Sequence, residues 1–158
     1  MKKLIFLFVI IFILLVGLAI SQEYTKTGRL PFKDKTPTAT IKNHAFKLLL
    51  AKTAEEKEIG LSKQKSLPAN KGMLFIFDQP DYYSFWAKKM QFPIDIIFIS
   101  GNLIVSISPD VHPPKNESED LPIIRPKEPS DLVLEINAGL SKKYKFNVGD
   151  AVKIDNLQ

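Results

Sequence analysis

The stretch GMLFIFDQPDYYSFWAKKMQFPIDIIFIS, Gly72 to Ser100, decides how this chain folds. Met73 to Phe77 is a continuous apolar run of strand length, expected to be covered on both faces. Asp78-Gln79-Pro80-Asp81 reads as a turn. Tyr82 to Met90 is expected as a second strand, with Phe85, Ala87 and Lys89 on one face and Trp86, Lys88 and Met90 on the other. Phe92-Pro93 marks the bend into a third strand, Ile94 to Ile99, because proline is tolerated at a strand's first residue. Strands this apolar belong in the middle of a sheet.

Shorter runs extend the pattern in both directions. Ser100-Gly101-Asn102 is a hairpin turn into Leu103 to Ile107, and Leu132 to Asn137 and Ala151 to Ile154 return as strands. Upstream, Thr38 to Ile41 and Ala45 to Ala51 flank a Lys42-Asn43 turn. Thr53-Ala54-Glu55-Glu56 is a capping box, in which the threonine hydroxyl and the glutamate satisfy free N–H groups, and Gly60 ends the short helix that follows. Ala138 to Lys143 reads as a helical turn. Pro109 to Pro129 holds six of the eleven prolines and no apolar periodicity, so it is expected as a long loop. Within it Asn116-Glu117-Ser118 fits a glycosylation sequon, a short and unspecific match. The fold class is mostly β (α+β): a compact β-barrel or sandwich-like domain over residues 38–158 with one or two short helices.

The N-terminus is of another kind. Lys2 and Lys3 precede an apolar run, Leu4 to Ile20, with no charge and no proline. That is the build of an export signal or of a membrane anchor, which needs roughly 17–25 apolar residues. Residues 21–37 are polar and basic, contain Pro31 and Pro37, and read as a linker. The lysines before the run favour an inside N-terminus, Lys26, Arg29, Lys33 and Lys35 beyond it oppose that, and a long following domain translocates largely regardless. The expected location is the cell membrane with the domain facing outside, or secreted or periplasmic if the leader is cleaved.

Of the net charge of +5, +4 belongs to this appendage, because residues 38–158 carry 16 basic and 15 acidic side chains. A nearly neutral domain lacks the footprint that nucleic acid demands. The absence of cysteine excludes disulfides, thiol nucleophiles and thiolate metal sites. Asp110-x-His112 has the look of two metal ligands, but a catalytic zinc commonly uses three, so no metal and no cofactor is expected. Ser62, Ser66 and Ser84 have no histidine–acid pattern beside them.

The candidate site residues are Trp86, Lys88, Asp95 and Glu135. Asp95 and Glu135 each interrupt an apolar strand, and an ionised carboxylate on a buried face needs a partner. If Met90 to Pro93 forms a hairpin turn, Lys88 falls opposite Asp95 and can supply it. Two carboxylates in an apolar site would also serve acid–base or glycosidic chemistry. Trp86 and Lys88 share a face and could meet a sugar ring or a peptide, although core packing is the usual fate of such aromatics.

Four segments together resemble the domain of unknown function 192 (DUF192) family: AKTAEEKEIGLSKQKSLPANKGMLFIF from Ala51, FWAKKMQFPIDIIFI from Phe85, VLEINAG from Val133 and GDAVKI from Gly149. They span about residues 45–154. The resemblance implies a small, mostly β domain, often exported, with no established activity. This chain departs from the family pattern where Ser62 replaces a methionine and Gln64 an arginine, and at Ala87, Lys89 and Met90; Lys88, Pro93, Asp95 and Glu135 are retained. The expected function is therefore a tethered, extracytoplasmic binding or interaction domain with no catalytic motif, contacting an envelope protein or a glycan. The alternatives are a hydrolase or carbohydrate-active enzyme using Asp95 and Glu135, and a structural envelope scaffold.

Overall fold

A computed structural model of the protein describes residues 2–27, 36–115 and 122–157. The sequon at Asn116 and residues 28–35 of the expected linker lie outside the described residues. The chain divides into two units, Met1–Lys35 and Thr36–Gln158.

The first unit contains α1, Lys2–Thr27. The helix runs past Ile20, where the linker was expected to begin, because Ser21 to Thr27 contains neither glycine nor proline to stop it. Leu4–Gln22, 19 residues, is long and apolar enough to cross a membrane. At about 1.5 Å per residue it spans about 28 Å, close to a hydrocarbon core of about 30 Å. Its large side chains from Leu4 to Leu18 stay exposed, so no polar face is set against an apolar one. That is the composition of an anchor or of an export signal.

The second unit is a seven-stranded mixed sheet curled into a half-barrel. Its strands are β1 Thr38–Ile41, β2 His44–Ala51, β3 Lys71–Asp81, β4 Ile94–Ser100, β5 Leu103–Val111, β6 Ser130–Asn137 and β7 Val152–Asp155, ordered β5-β4-β6-β3-β2-β1-β7. All neighbours are antiparallel except β2 and β3. A parallel pair requires a long crossover, and residues 52–70 supply it, with α2 (Ala54–Ile59) inside. The capping box at Thr53 forms: Thr53 Oγ1 accepts the Glu56 N–H, and Glu56 Oε2 accepts the N–H of Lys52 and Thr53. Those backbone donors, Thr53 first, hold the Glu56 carboxyl below the ordinary carboxylate range.

The curl closes at one end. Leu103 at the start of β5 bridges Ala151 just before β7. Side chains from both outer strands, Ile104 and Val152, therefore meet Ile41, Phe46, Leu74, Ile97 and Ile136 on the concave face. The small helix α3, Leu140–Lys143, adds Leu140 to this core. The opposite face carries Phe75, Ile96, Phe98 and Val133 and is covered by Leu61, Leu67, Phe85 and Ala87. Because both faces are covered, six consecutive residues of β4, Ile94 to Ile99, are buried.

Gly72 allows the central strands to pack this closely. A Cβ there would lie 2.8 Å from the Glu135 carbonyl oxygen and 3.0 Å from a Leu134 methyl. Backbone cannot give way as a flexible side chain can, so only glycine fits.

Three expectations change. β5 runs on to Val111, into the stretch from Pro109 that was expected as loop. The turn at Asp78–Asp81 is strand: β3 continues through it, with Pro80 in its exposed final turnless stretch, where no sheet neighbour needs the missing N–H. The strand at Tyr82–Met90 does not form. Phe85 alone pairs, with Ile124, and Lys89 takes a left-handed φ of 59°. The alternation survives without the strand, since Phe85 and Ala87 are buried and Trp86 is exposed. The 82–93 segment is a cover laid over the outer face of the sheet.

Candidate functional site

The two central acids are one strand apart and on opposite faces. In the β4–β6 register Asp95 pairs with Ile136 and Ile96 with Glu135. Ile97 and Ile136 belong to the concave core, and Ile96 and Val133 to the outer one. Asp95 thus points into the curl and Glu135 away from it. A paired-carboxylate site built from them does not exist in this fold.

Asp95 is wholly buried and satisfied by backbone. Its Oδ1 accepts the N–H of Asp110 at 2.8 Å and of Gly139 at 3.0 Å, and its Oδ2 that of Ser141 at 2.8 Å. Asp110 and Gly139 both sit at positive φ, 56° and 80°, so the carboxylate anchors two left-handed corners and the start of α3 together. Lys88 is not its partner. The expected hairpin at Met90–Pro93 is absent, and Lys88 lies on the far side of the sheet, lining the same cavity as Glu135.

Glu135 has the opposite circumstances. It is 4% exposed, and among the described residues no hydrogen bond or ion pair reaches its carboxyl. Its strand neighbours in register are Met73 and Ile96, both apolar and buried. Burial pushes its pKa up to about 8. At neutral pH the group is a neutral carboxylic acid, with a donor and an acceptor to offer.

The carboxyl lines a cavity of about 220 Å³. Phe75 and Phe77 of β3, Tyr83, Phe85, Trp86 and Met90 of the cover, and Lys57 to Leu61 at the end of α2 form its walls. The rings are fixed by one another. Phe77 stacks on Tyr83 at 3.6 Å, and Phe85 meets Phe75 edge-on at 5.0 Å. Lys57 Nζ stands 4.4 Å from the centre of the Phe77 ring. The Tyr83 hydroxyl donates to the Gln79 carbonyl at 2.8 Å. Trp86 is 47% exposed.

Of the four residues singled out from the sequence, the fold gathers Trp86, Lys88 and Glu135 at this cavity and separates Asp95 from them. Phe77, Tyr83 and Lys57 were missed as site residues, since nothing in their spacing says that α2 and the 82–93 cover converge over β6. Of the positions that depart from the family pattern, Met90 lines the cavity and Ser62 donates to the Ile59 carbonyl at 2.6 Å behind α2. Elsewhere, His112 Nε2 meets Asp110 Oδ1 at 3.0 Å on the exposed surface, and among the described residues no group of three or more His, Asp or Glu gathers that could hold a metal.

With sheet, cover and cavity in place, the class is defined: a half-barrel domain with one unpartnered acid beneath an aromatic lid. Residues 37–154 match the DUF192 family, described as uncharacterized, and the chain belongs to it. No curated protein matches the chain. Two solved structures share the fold. One is a protein of unknown function from Novosphingobium aromaticivorans, 30% identical, with a TM-score of 0.66 over 75% of this chain and 83% of that one. The other, from Sinorhizobium meliloti, is described as a proposed transcription regulator; it is 28% identical, with a TM-score of 0.66 over 75% of this chain and 91% of that one.

The two acids respond oppositely to neutral replacement. Asp95→Asn puts an N–H₂ where Ser141 or the Asp110–Gly139 pair donates. Two donors then face each other in a buried site, and the variant is expected to lose about 2–4 kcal/mol of stability, read from urea denaturation. Glu135→Gln removes a buried titratable group instead. Because the folded pKa lies above the unfolded value of 4.5, the glutamate's contribution is fully present below pH 4.5 and is lost as pH rises to about 8. The wild type is therefore expected to lose roughly 3–5 kcal/mol more than Glu135→Gln between pH 4.5 and pH 9, in denaturation curves taken side by side.

Proposed function

We propose that the chain is a small-ligand-binding domain, tethered by α1 and displayed on the outer side of a membrane, with its site in the cavity over Glu135. One observation carries the binding reading: an acid only 4% exposed, with no donor among the described residues, opens onto a cavity walled by rings that are locked in place. A fold that needed only to be stable would put an apolar residue at 135, as it does at 133 and 134. Unmet polar groups converging in an apolar cavity are the usual form of a ligand site.

The tether is supported by the 19-residue apolar span and by Lys2 and Lys3 before it. Binding to DNA, which the description of the Sinorhizobium relative would suggest, is left out of the proposal. Residues 38–158 hold 16 basic against 15 acidic side chains, too even a balance to neutralise phosphates.

A screen of a mixed small-molecule library by the emission of Trp86, using the full chain in detergent, tests the site. The expected result is a set of compounds that shift the emission of the wild type and not that of Ser84→Phe, which fills the cavity. Compounds that act equally on both, or none at all, would contradict it. Protease added outside intact cells is expected to remove the domain and leave α1 in the membrane; a domain degraded only after lysis would contradict the outward placement.

A further inference from the structure

Resting on the reading of this cavity as a ligand site, we infer that its occupant is a small organic ammonium ion: a primary amine on a short apolar chain, its head against the Glu135 carboxyl.

The argument starts from what Glu135 lacks. An ionised carboxylate only accepts hydrogen bonds, and its neighbours Met73 and Ile96 have none to give. An ammonium head brings three donors and the opposite charge, which together offset the cost of ionising a buried acid. The walls suit the same head. Aromatic faces attract cations; Tyr83 and Lys57 already occupy Phe77, and the half-exposed Trp86 is the ring left to meet the head. The remaining wall, Phe85 and Met90 among it, is apolar and suits a hydrocarbon chain.

Size and charge narrow the class. About 220 Å³ is below the roughly 300–1,000 Å³ of sites for drug-sized ligands, so a single chain end fits and a nucleotide or oligosaccharide does not. A bare divalent ion would find one carboxylate where it needs several oxygens. Among the described residues, the other charged or titratable groups facing the cavity are Lys57 and Glu58 from α2 and Tyr83 and Lys88 from the cover; β3 contributes none, and β6 only Glu135. Lys57 is half-buried and Lys88 exposed, so water and salt weaken their repulsion of an incoming cation. Glu135 is almost wholly buried, where the attraction of an opposite charge is screened far less than at the surface. Tyr83 is pushed above the ordinary phenol range, first by burial and then by Asp81 and Asp78, and stays protonated when Glu135 ionises.

Amine binding then carries a pH signature. Only ionised Glu135 takes the ammonium, and with a pKa of about 8 roughly a tenth of it is ionised at pH 7 and roughly nine-tenths at pH 9. The apparent affinity is expected to rise about tenfold over that interval, while an alkylamine, like free lysine at about 10.4, keeps its charge.

The test is calorimetric titration of the full chain in detergent with butylammonium, butan-1-ol, butyrate and Nα-acetyl-lysine N-methylamide at pH 7 and pH 9. The expected result is that butylammonium binds about tenfold tighter at pH 9, that butan-1-ol and butyrate bind more weakly and without that trend, and that Glu135→Gln loses amine binding by about tenfold or more. The lysine amide separates two sources of the same head: equal binding assigns it to a side chain of a protein partner, and weaker binding to a free amine. Alcohol or butyrate binding as well as the amine, or Glu135→Gln retaining amine binding, would overturn the inference while leaving the cavity a ligand site. Silence from every probe and from the library alike would remove the ligand reading itself.

Discussion

The Asp95 carboxylate, closed in by three backbone N–H groups, is the interaction on which the rest of the domain depends. It lies at the start of β4 and gathers the end of β5 and the corner between β6 and α3 around one charge. Both corners use left-handed backbone, at Asp110, where it carries a cost, and at Gly139, where it does not, and the carboxylate ties the two together. With those corners fixed, β4 and β6 keep the register that sets Ile96 beside Glu135. The concave acid is thus fully answered by the fold, and that same register turns the other acid outward, toward α2 and the aromatic cover.

Two carboxylates of like kind therefore take opposite parts. Asp95 exchanges water for charge-assisted hydrogen bonds and contributes to the stability of the domain. Glu135 exchanges water for hydrocarbon and receives nothing in return from the described residues. The difference lies wholly in which side of the sheet each one faces. The proposed binding role rests on the second case, because a ligand that shared the proton or charge of Glu135 would offset the cost of burying it.

The sequence revealed much of this and withheld the rest for identifiable reasons. Met73–Phe77 and Ile94–Ile99 declared themselves as central strands because both faces are covered, and Thr53–Glu56 declared its helix because capping is local chemistry. The family resemblance over residues 45–154 anticipated the match over 37–154. Within each strand the parity of Asp95 and Glu135 was also legible. Their relation to each other was not, since it depends on the register of two strands separated by some 40 positions, which no local pattern encodes. The 82–93 segment misled for a related reason. Phe85 in, Trp86 out and Ala87 in is the alternation of a strand, but alternation records which side chains face a core and not whether a neighbouring backbone is there to pair.

The measurement closest to the centre of this account is the protonation of Glu135 itself. Carbon-13 NMR of the side-chain carboxyl of glutamate-labelled full chain, assigned by loss of the signal in Glu135→Gln, follows that proton directly. A midpoint near pH 8 is the result predicted for an acid buried without a donor. A midpoint at the ordinary glutamate value of about 4.3 would mean that the carboxyl is wet or already paired, and the cavity would lose its reason to bind anything.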